Sequence, residues 1–179
     1  MLSEEQIIKR CIRKDRKAQK EIYEKYAYIM FGICLRYSNN VSEAEEVLQD
    51  GFLKIFSRIR QFLGKGSFIN WMKRIMINTA ITYYHKNVKH HYHYDFEEIK
   101  EININGSELD NVEYTKEELF KVIKELPDGY RMVFNLFAIE GYKHKDIAEL
   151  LKIEINTSKS QYSRARKLVQ KKLFDLSKK

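Results

Sequence analysis

Apolar residues recur every three to four positions along most of the chain, the spacing of amphipathic helices. Residues 16–37 show it most clearly, with Ile22, Tyr26, Ile29 and Ile33 on one face. No segment alternates polar and apolar residues with the period of two that a half-buried strand shows. The chain also has a single proline, which agrees with a mostly helical structure. The pattern therefore predicts an all-α protein.

Capping signals divide the first half of the chain into four predicted helices. Ser3 and Gln6 are spaced as a capping box that opens the first helix, and Ser42 and Glu45 are spaced as one that opens the third. A glycine-containing loop precedes the fourth helix, for which Ser67 is the expected cap. These four helices are predicted to form one small bundle.

The second half begins after a stretch without helical periodicity, residues 87–114, whose ~25 residues would span roughly 80 Å if fully extended. Thr115 and Glu118 form another predicted capping box, Asp128 is the expected cap of the next helix, and Gly141 is its expected stop. We therefore predict two small helical bundles joined by a flexible linker, with boundaries at residues 1–90, 91–113 and 114–179.

The segment 141–173 has the pattern of a helix-turn-helix, the second helix beginning at the predicted cap Thr157. Its outer face has no carboxylate from Asn156 to Lys172. Lysine neutralises phosphates, while glutamine and arginine read base edges in the major groove. The alternative is a solvated basic helix of an ordinary bundle. The candidate DNA contacts are Thr157, Lys159, Ser160, Gln161 and Arg164.

Charge is distributed in blocks, within a net charge of +8 and a pI near 9.3 that favour a polyanionic partner. Residues 51–94 contain eight Lys or Arg and no acid, whereas residues 95–128 contain eleven acids and four lysines. The chain becomes basic again after Leu151. Two basic blocks predict two contacts with nucleic acid.

Two cysteines, Cys11 and Cys34, lie on apolar helical faces, which predicts buried thiols rather than a disulfide. No stretch has the length and apolarity of a membrane span, and the N-terminus is too charged for a signal peptide. We expect a cytoplasmic protein without stable membrane insertion.

Three stretches resemble the small sigma factors of bacterial RNA polymerase, the extracytoplasmic-function (ECF) class of the sigma-70 family. SEAEEVLQDGFLKIF resembles region 2.2, FLGKGSFINWMKRIMINTAITYYHK resembles regions 2.3–2.4, and GYKHKDIAELLKIEINTSKSQYSRARKLV resembles region 4.2. The chain departs from the family pattern at Lys143, Lys152, Ser158 and Gln161. Since Ser158 and Gln161 lie in the predicted recognition helix, we expect them to influence which bases are read.

The resemblance implies a function and a role for each stretch. It implies binding to core RNA polymerase and promoter-specific initiation through −10 and −35 elements, with region 4.2 reading the −35 element. Region 2.2 would bind the clamp coiled coil of the largest polymerase subunit through Glu43, Glu46, Gln49 and Asp50. Regions 2.3–2.4 would capture the −10 element through Lys65, Ser67, Phe68, Lys73, Arg74 and Asn78.

Several alternatives stay open at this level. The acidic face of the third helix is also compatible with a solvated surface stabilised by the helix dipole. The protein is also compatible with a stand-alone helix-turn-helix regulator that acts as a dimer. An anti-sigma factor is a possible further partner by resemblance. Trp71 has the spacing of a core residue.

Catalysis and metal binding receive little support from the residues. No nucleophile–base set or phosphate-binding glycine loop is recognisable, so we expect neither an enzyme nor a cofactor. The tract formed by His85, His90, His91 and His93 lacks a cysteine or carboxylate that would complete a known metal spacing. We interpret this tract as polar linker.

Overall fold

The computed structural model describes residues 3–62, 64–88 and 114–177, and throughout these ranges the regular structure is helical, with no strand. The predicted all-α class is therefore confirmed. The chain divides into two compact units, Met1–Lys89 and His90–Lys179, which are described separately below. The predicted linker, residues 91–113, lies outside the described residues.

The first unit is a four-helix bundle. The helices are α1 (Glu4–Ile12), α2 (Arg16–Tyr37), α3 (Val41–Arg58) and α4 (Phe68–Val88), with a short 3₁₀ turn at Ile59–Gln61. The helices α2, α3 and α4 pack against one another, and α1 packs against α2. Their fully buried side chains include Met30, Ile55, Met72 and Met76.

Gly51 allows α3 and α4 to approach closely. A Cβ atom at this position would overlap the Sδ and Cε atoms of Met76, a fully buried residue of α4. A side chain at position 51 would therefore require the thioether end of Met76 to move within the packed core between α3 and α4.

The helix starts in the first unit agree only partly with the prediction. The capping box of Ser3 and Gln6 is confirmed, since both of its hydrogen bonds are present. The predicted box at Ser42 is wrong, because α3 begins at Val41, two residues earlier than a cap at Ser42 implies, and Asn40 is its cap. Oδ1 of Asn40 accepts from the backbone N–H of Glu43 at 2.8 Å. Asparagine is a strong N-cap residue, and here it places the cap two residues upstream of the predicted one.

The two cysteines are free and buried, as predicted. Burial raises the pKa of Cys11 to about 11 and that of Cys34 to about 12. Both groups are therefore protonated thiols at neutral pH and poor nucleophiles.

The second unit ends in the predicted helix-turn-helix. Its core combines Val122, Ile123 and Leu126 with Ala165 and Val169 from the last helix. The helices are α5 (Lys116–Lys124), α6 (Asp128–Phe134), a π-helical segment (Asn135–Ile139), α7 (His144–Leu151) and α8 (Ile155–Ser177).

Two predicted caps in the second unit are wrong, although the Thr115–Glu118 box and the stop at Gly141, with its φ of 75°, are confirmed. Asp128 is the first residue of α6 rather than its cap, and its carboxylate accepts from Arg131 at 2.8 Å. Thr157 lies inside the first turn of α8, which starts at Ile155.

The turn between α7 and α8 contains a residue in the left-handed conformation. Lys152 closes α7 with φ 56° and ψ 46°, and its backbone N–H donates to the carbonyl of Ala148. Glycine is the usual residue in this conformation because a Cβ atom is crowded there.

Candidate polymerase and DNA interfaces

The predicted polymerase-binding residues lie on the outer side of α3. Glu46, Gln49 and Asp50 are exposed, and Glu43 is half-buried. Glu43 has a structural task, because its Oε2 accepts from the backbone N–H of Asn39 at 2.8 Å. Of these four residues, Gln49 and Asp50 are exposed and have no described side-chain hydrogen bond.

Tyr83 of α4 extends this surface across to the neighbouring helix. Its hydroxyl donates to Oε2 of Glu46 at 3.1 Å. The pKa of Tyr83 is raised, first by burial and further by the Glu46 carboxylate. Glu46 therefore belongs to both the acidic surface and the α3–α4 packing.

Leu53 is an apolar member of the same surface that sequence reasoning missed. Its side chain is 68% exposed although it is a large aliphatic residue. It follows Asp50 by three residues and Gln49 by four, which places the three side chains on one helical face. Leu53 therefore adds apolar area to an otherwise polar and acidic surface. The feature of the sequence that could have identified Leu53 was its helical spacing from Gln49 and Asp50.

The loop before α4 brings its backbone to the surface. Gly64 and Gly66 have φ values of 70° and 87°, and no neighbouring atom lies within 4 Å of where a Cβ would stand. Lys65 and Ser67, two of the predicted −10 contacts, are exposed between and after these glycines. An open, side-chain-poor loop of this kind allows close approach of another molecule.

Phe68 does not belong to this surface, contrary to the prediction. Its ring is 2% exposed and packs against Tyr26, Phe62 and Trp71, the last at 5.7 Å in a nearly parallel stack. As the first residue of α4, Phe68 anchors the helix start in the core. Trp71 is half-buried in the same cluster.

The remaining −10 residues follow one side of α4. Arg74 and Asn78 are exposed one helical turn apart, and Lys73 beside them is half-buried. Asn70, one turn before Arg74, is also exposed and extends this polar stripe, although the sequence analysis did not include it. Thr79, on the buried side of α4, accepts at Oγ1 from Nζ of Lys54 in the neighbouring helix α3 at 3.3 Å.

The predicted −35 residues occupy the first turns of α8. Lys159, Ser160 and Arg164 are exposed, while Thr157 and Gln161 are half-buried. Positions 157, 160, 161 and 164 share one face at helical spacing. The Ser160 hydroxyl donates to the carbonyl of Thr157 at 3.0 Å, so its oxygen remains able to accept.

Ser158 is fully buried and therefore does not contact bases itself. Its Oγ lies 2.9 Å from Nδ1 of His144, the first residue of α7. Burial lowers the pKa of His144, and the nearby charge of Lys159 lowers it further. Sequence reasoning missed His144, because nothing in its spacing marks a contact between two helices.

The sequence matches the family Sigma-70 region 2 over residues 22–90 and the family Sigma-70, region 4 over residues 116–169. The chain belongs to the sigma-70 family of RNA polymerase sigma factors. Its curated relatives place it in the ECF class. It is 26% identical to the ECF RNA polymerase sigma-E factor of Haemophilus influenzae, over 98% of this chain and 97% of the relative.

Two further comparisons concern the sequence and the fold. The RNA polymerase sigma-H factor of Pseudomonas aeruginosa is 26% identical over 97% of this chain and 95% of its own length. The sigma factor RpoE of Bartonella quintana, solved in complex with the anti-sigma factor NepR, matches 86% of this chain and 95% of its own. With 21% identity and a TM-score of 0.52, that structure supports the fold.

As a sigma factor, the chain directs RNA polymerase to promoters. The candidate polymerase and −10 residues fall within the region 2 match, and the candidate −35 residues fall within the region 4 match. Within the described ranges, no helix has both the length and the apolarity needed to cross a membrane. The described residues also contain no cluster of potential metal ligands, and His90, His91 and His93 lie outside them.

Proposed function

We propose that the outer face of α3 binds the clamp coiled coil of the largest polymerase subunit. The contact surface would combine the carboxylates of Glu46 and Asp50, the amide of Gln49 and the exposed side chain of Leu53. Acidic groups complement a basic partner, while burial of a leucine supplies apolar area. Glu43 contributes indirectly, by capping the helix that presents the others.

We propose that the glycine loop and α4 recognise and open the −10 element. Extruding a base from the duplex costs a few kcal/mol and needs a site that holds it. The open loop with Lys65 and Ser67 offers such a site, while Lys73, Arg74 and Asn78 offer phosphate and base-edge contacts along α4. Phe68 supports this surface from the core and does not touch DNA.

We propose that α8 reads the −35 element in the major groove. Arg164 and Gln161 have side chains suited to base edges, and Lys159 is suited to a phosphate. Thr157 and Ser160 supply shorter polar groups on the same face. The absence of any carboxylate from Asn156 to Lys172 supports this proposal most directly, since a carboxylate there would repel the DNA.

The stand-alone dimeric regulator is not favoured, because region 2 and region 4 of sigma-70 proteins both match in this one chain. We infer that the protein acts in the cytoplasm beside the polymerase and has no catalytic activity of its own. An anti-sigma factor is an expected partner, as for the relative from Bartonella quintana. It would have to cover the α3, α4 or α8 surfaces to inhibit.

The experiment is to add the purified protein to core RNA polymerase, transcribe genomic DNA and sequence the transcript starts. We expect a limited set of starts with shared −10 and −35 sequences, whereas core enzyme alone starts without preference. Asp50→Lys should lose core binding and all specific starts, while Glu24→Lys, a reversal on the exposed surface of α2, should retain both. Starts indistinguishable from those of core enzyme would contradict the proposal.

A further inference from the structure

A hydrogen bond between two side chains joins the two helices of the helix-turn-helix. Nδ1 of His144, at the start of α7, lies 2.9 Å from Oγ of Ser158 in the first turn of α8. Ser158 is fully buried, so its hydroxyl is shielded from water. A buried hydroxyl that loses its partner destabilises the structure, and the bond therefore favours one placement of α8 against α7.

The imidazole ring of His144 is itself held in place. It lies almost parallel to the ring of Phe137, with 4.3 Å between the centroids and 13° between the planes. Phe137 in turn contacts Tyr162 of α8, with 4.4 Å between their centroids. The π-helical segment, α7 and α8 thus meet around His144, which restricts the direction in which Nδ1 points.

Ser158 stands among the residues that are expected to touch DNA. Thr157 and Lys159 flank it, and Gln161 follows within one turn. Successive helical residues are about 100° apart, so a small rotation of α8 about its axis moves all of these side chains relative to the groove. Base contacts tolerate errors of only about 0.5 Å and 10–20°.

We propose that His144 is a positioning residue for −35 recognition, which sets the rotation of α8 through its hydrogen bond with Ser158. The inference rests on the proposed role of α8. His144 does not itself read bases in this account.

Three variants in reconstituted holoenzyme, the complex of the full chain with core polymerase, test the pair. His144→Phe keeps the ring on Phe137 and removes Nδ1, Ser158→Ala removes the hydroxyl, and the third variant combines both. The measured quantity is the ratio of two binding constants of the holoenzyme. The first is for a promoter with the −35 element found from the protein's own transcripts, and the second is for the same promoter with that element scrambled.

We expect each single variant to lower this ratio about fivefold, the factor that corresponds to one ordinary hydrogen bond. The double variant should lower it by the same factor of about five rather than about twenty-five, because the same bond is lost in all three. His144→Asn, whose amide can replace Nδ1, should keep more of the ratio than His144→Phe.

The control is Ile147→Val, which truncates a fully buried side chain of α7 and leaves the pair intact. It should lower the melting temperature without changing the ratio. The inference is overturned if the His144 and Ser158 variants melt earlier but keep the ratio, or if only His144→Phe changes it. A wild-type holoenzyme with no preference at the −35 element would instead contradict the proposed role of α8 itself.

Discussion

The two candidate DNA surfaces of this sigma factor are supported in different ways. Behind the polar stripe of α4 lie Met72 and Met76, which are fully buried, so the support is apolar packing. Behind the first turn of α8 lies Ser158, equally buried but polar, and bonded to His144. Apolar packing is weakened when side-chain volume is removed, whereas a hydrogen bond is weakened when its geometry changes. A hydrogen bond to histidine also depends on pH, because the ring titrates.

The turns beside these surfaces differ in the same way. The loop before α4 uses Gly64 and Gly66 for its left-handed conformations, which glycine adopts without strain. The turn before α8 uses Lys152, with a φ of 56°. The helix-turn-helix thus carries a conformational cost that the loop of the first unit avoids.

The largest expected effect is on the apolar support of α4. Met76→Ala should destabilise the first unit by about 2–5 kcal/mol, because it removes a fully buried side chain that also fills the space over Gly51. Chemical denaturation followed by the fluorescence of Trp71 measures this change. An unchanged transition would show that α4 is not held by this packing.

A smaller effect of opposite sign is expected in the turn of the second unit. Lys152→Gly should stabilise the fold by about 0.5–1 kcal/mol, because the relief of left-handed strain exceeds the extra freedom of glycine in the unfolded chain. Lys14→Gly is the matched variant, since Lys14 in the turn between α1 and α2 has a φ of 63°. Thermal denaturation should show a gain for both, and a loss would contradict the assigned strain.

The smallest expected effect is a pH dependence of the second unit. The pKa of His144 lies below its ordinary value of about 6.5, because burial and the nearby charge of Lys159 disfavour the protonated ring. The unfolded chain therefore binds a proton at a higher pH than the folded chain does. This contribution to stability is complete above pH ~6.5 and decreases as the pH falls below that value.

Denaturation of wild type and of His144→Phe between pH 7.5 and pH 5 measures this contribution. The range stays above the ordinary titration of carboxylates, near pH 4. Wild type should lose stability over the range, and the variant should lose less. Equal losses would show that the other histidines, rather than His144, cause the dependence.

Local patterns in the sequence predicted the helices well, because the spacing of apolar residues and short-range caps act within a few positions. Ser3 and Thr115 were found in this way. At α3 two residues of similar capping strength lie within three positions, and Asn40, the one that caps the helix, was missed. The π-helical segment was not predicted either, since the apolar spacing of residues 129–140 matches a regular helix equally well.

The candidate surfaces were harder to predict, because single-residue burial depends on which helices meet. Phe68 was placed on the −10 surface but lies in the core of its unit, and Ser158 of the predicted recognition helix is also buried. Leu53 has the sequence character of a core residue but is largely exposed. The charged candidates Asp50, Arg74 and Arg164 are exposed as expected, since charged side chains are rarely buried.

The most direct test of the account compares promoter preferences of holoenzymes that carry Asn78→Ala in α4 or Arg164→Ala in α8. Transcripts from a pool of promoters randomised at both elements would be sequenced for each. We expect Asn78→Ala to relax base preference only at the −10 element and Arg164→Ala only at the −35 element, each by about 1–3 kcal/mol at the affected position. Relaxation of the same element by both variants, or of neither element, would contradict the division of labour between the two units.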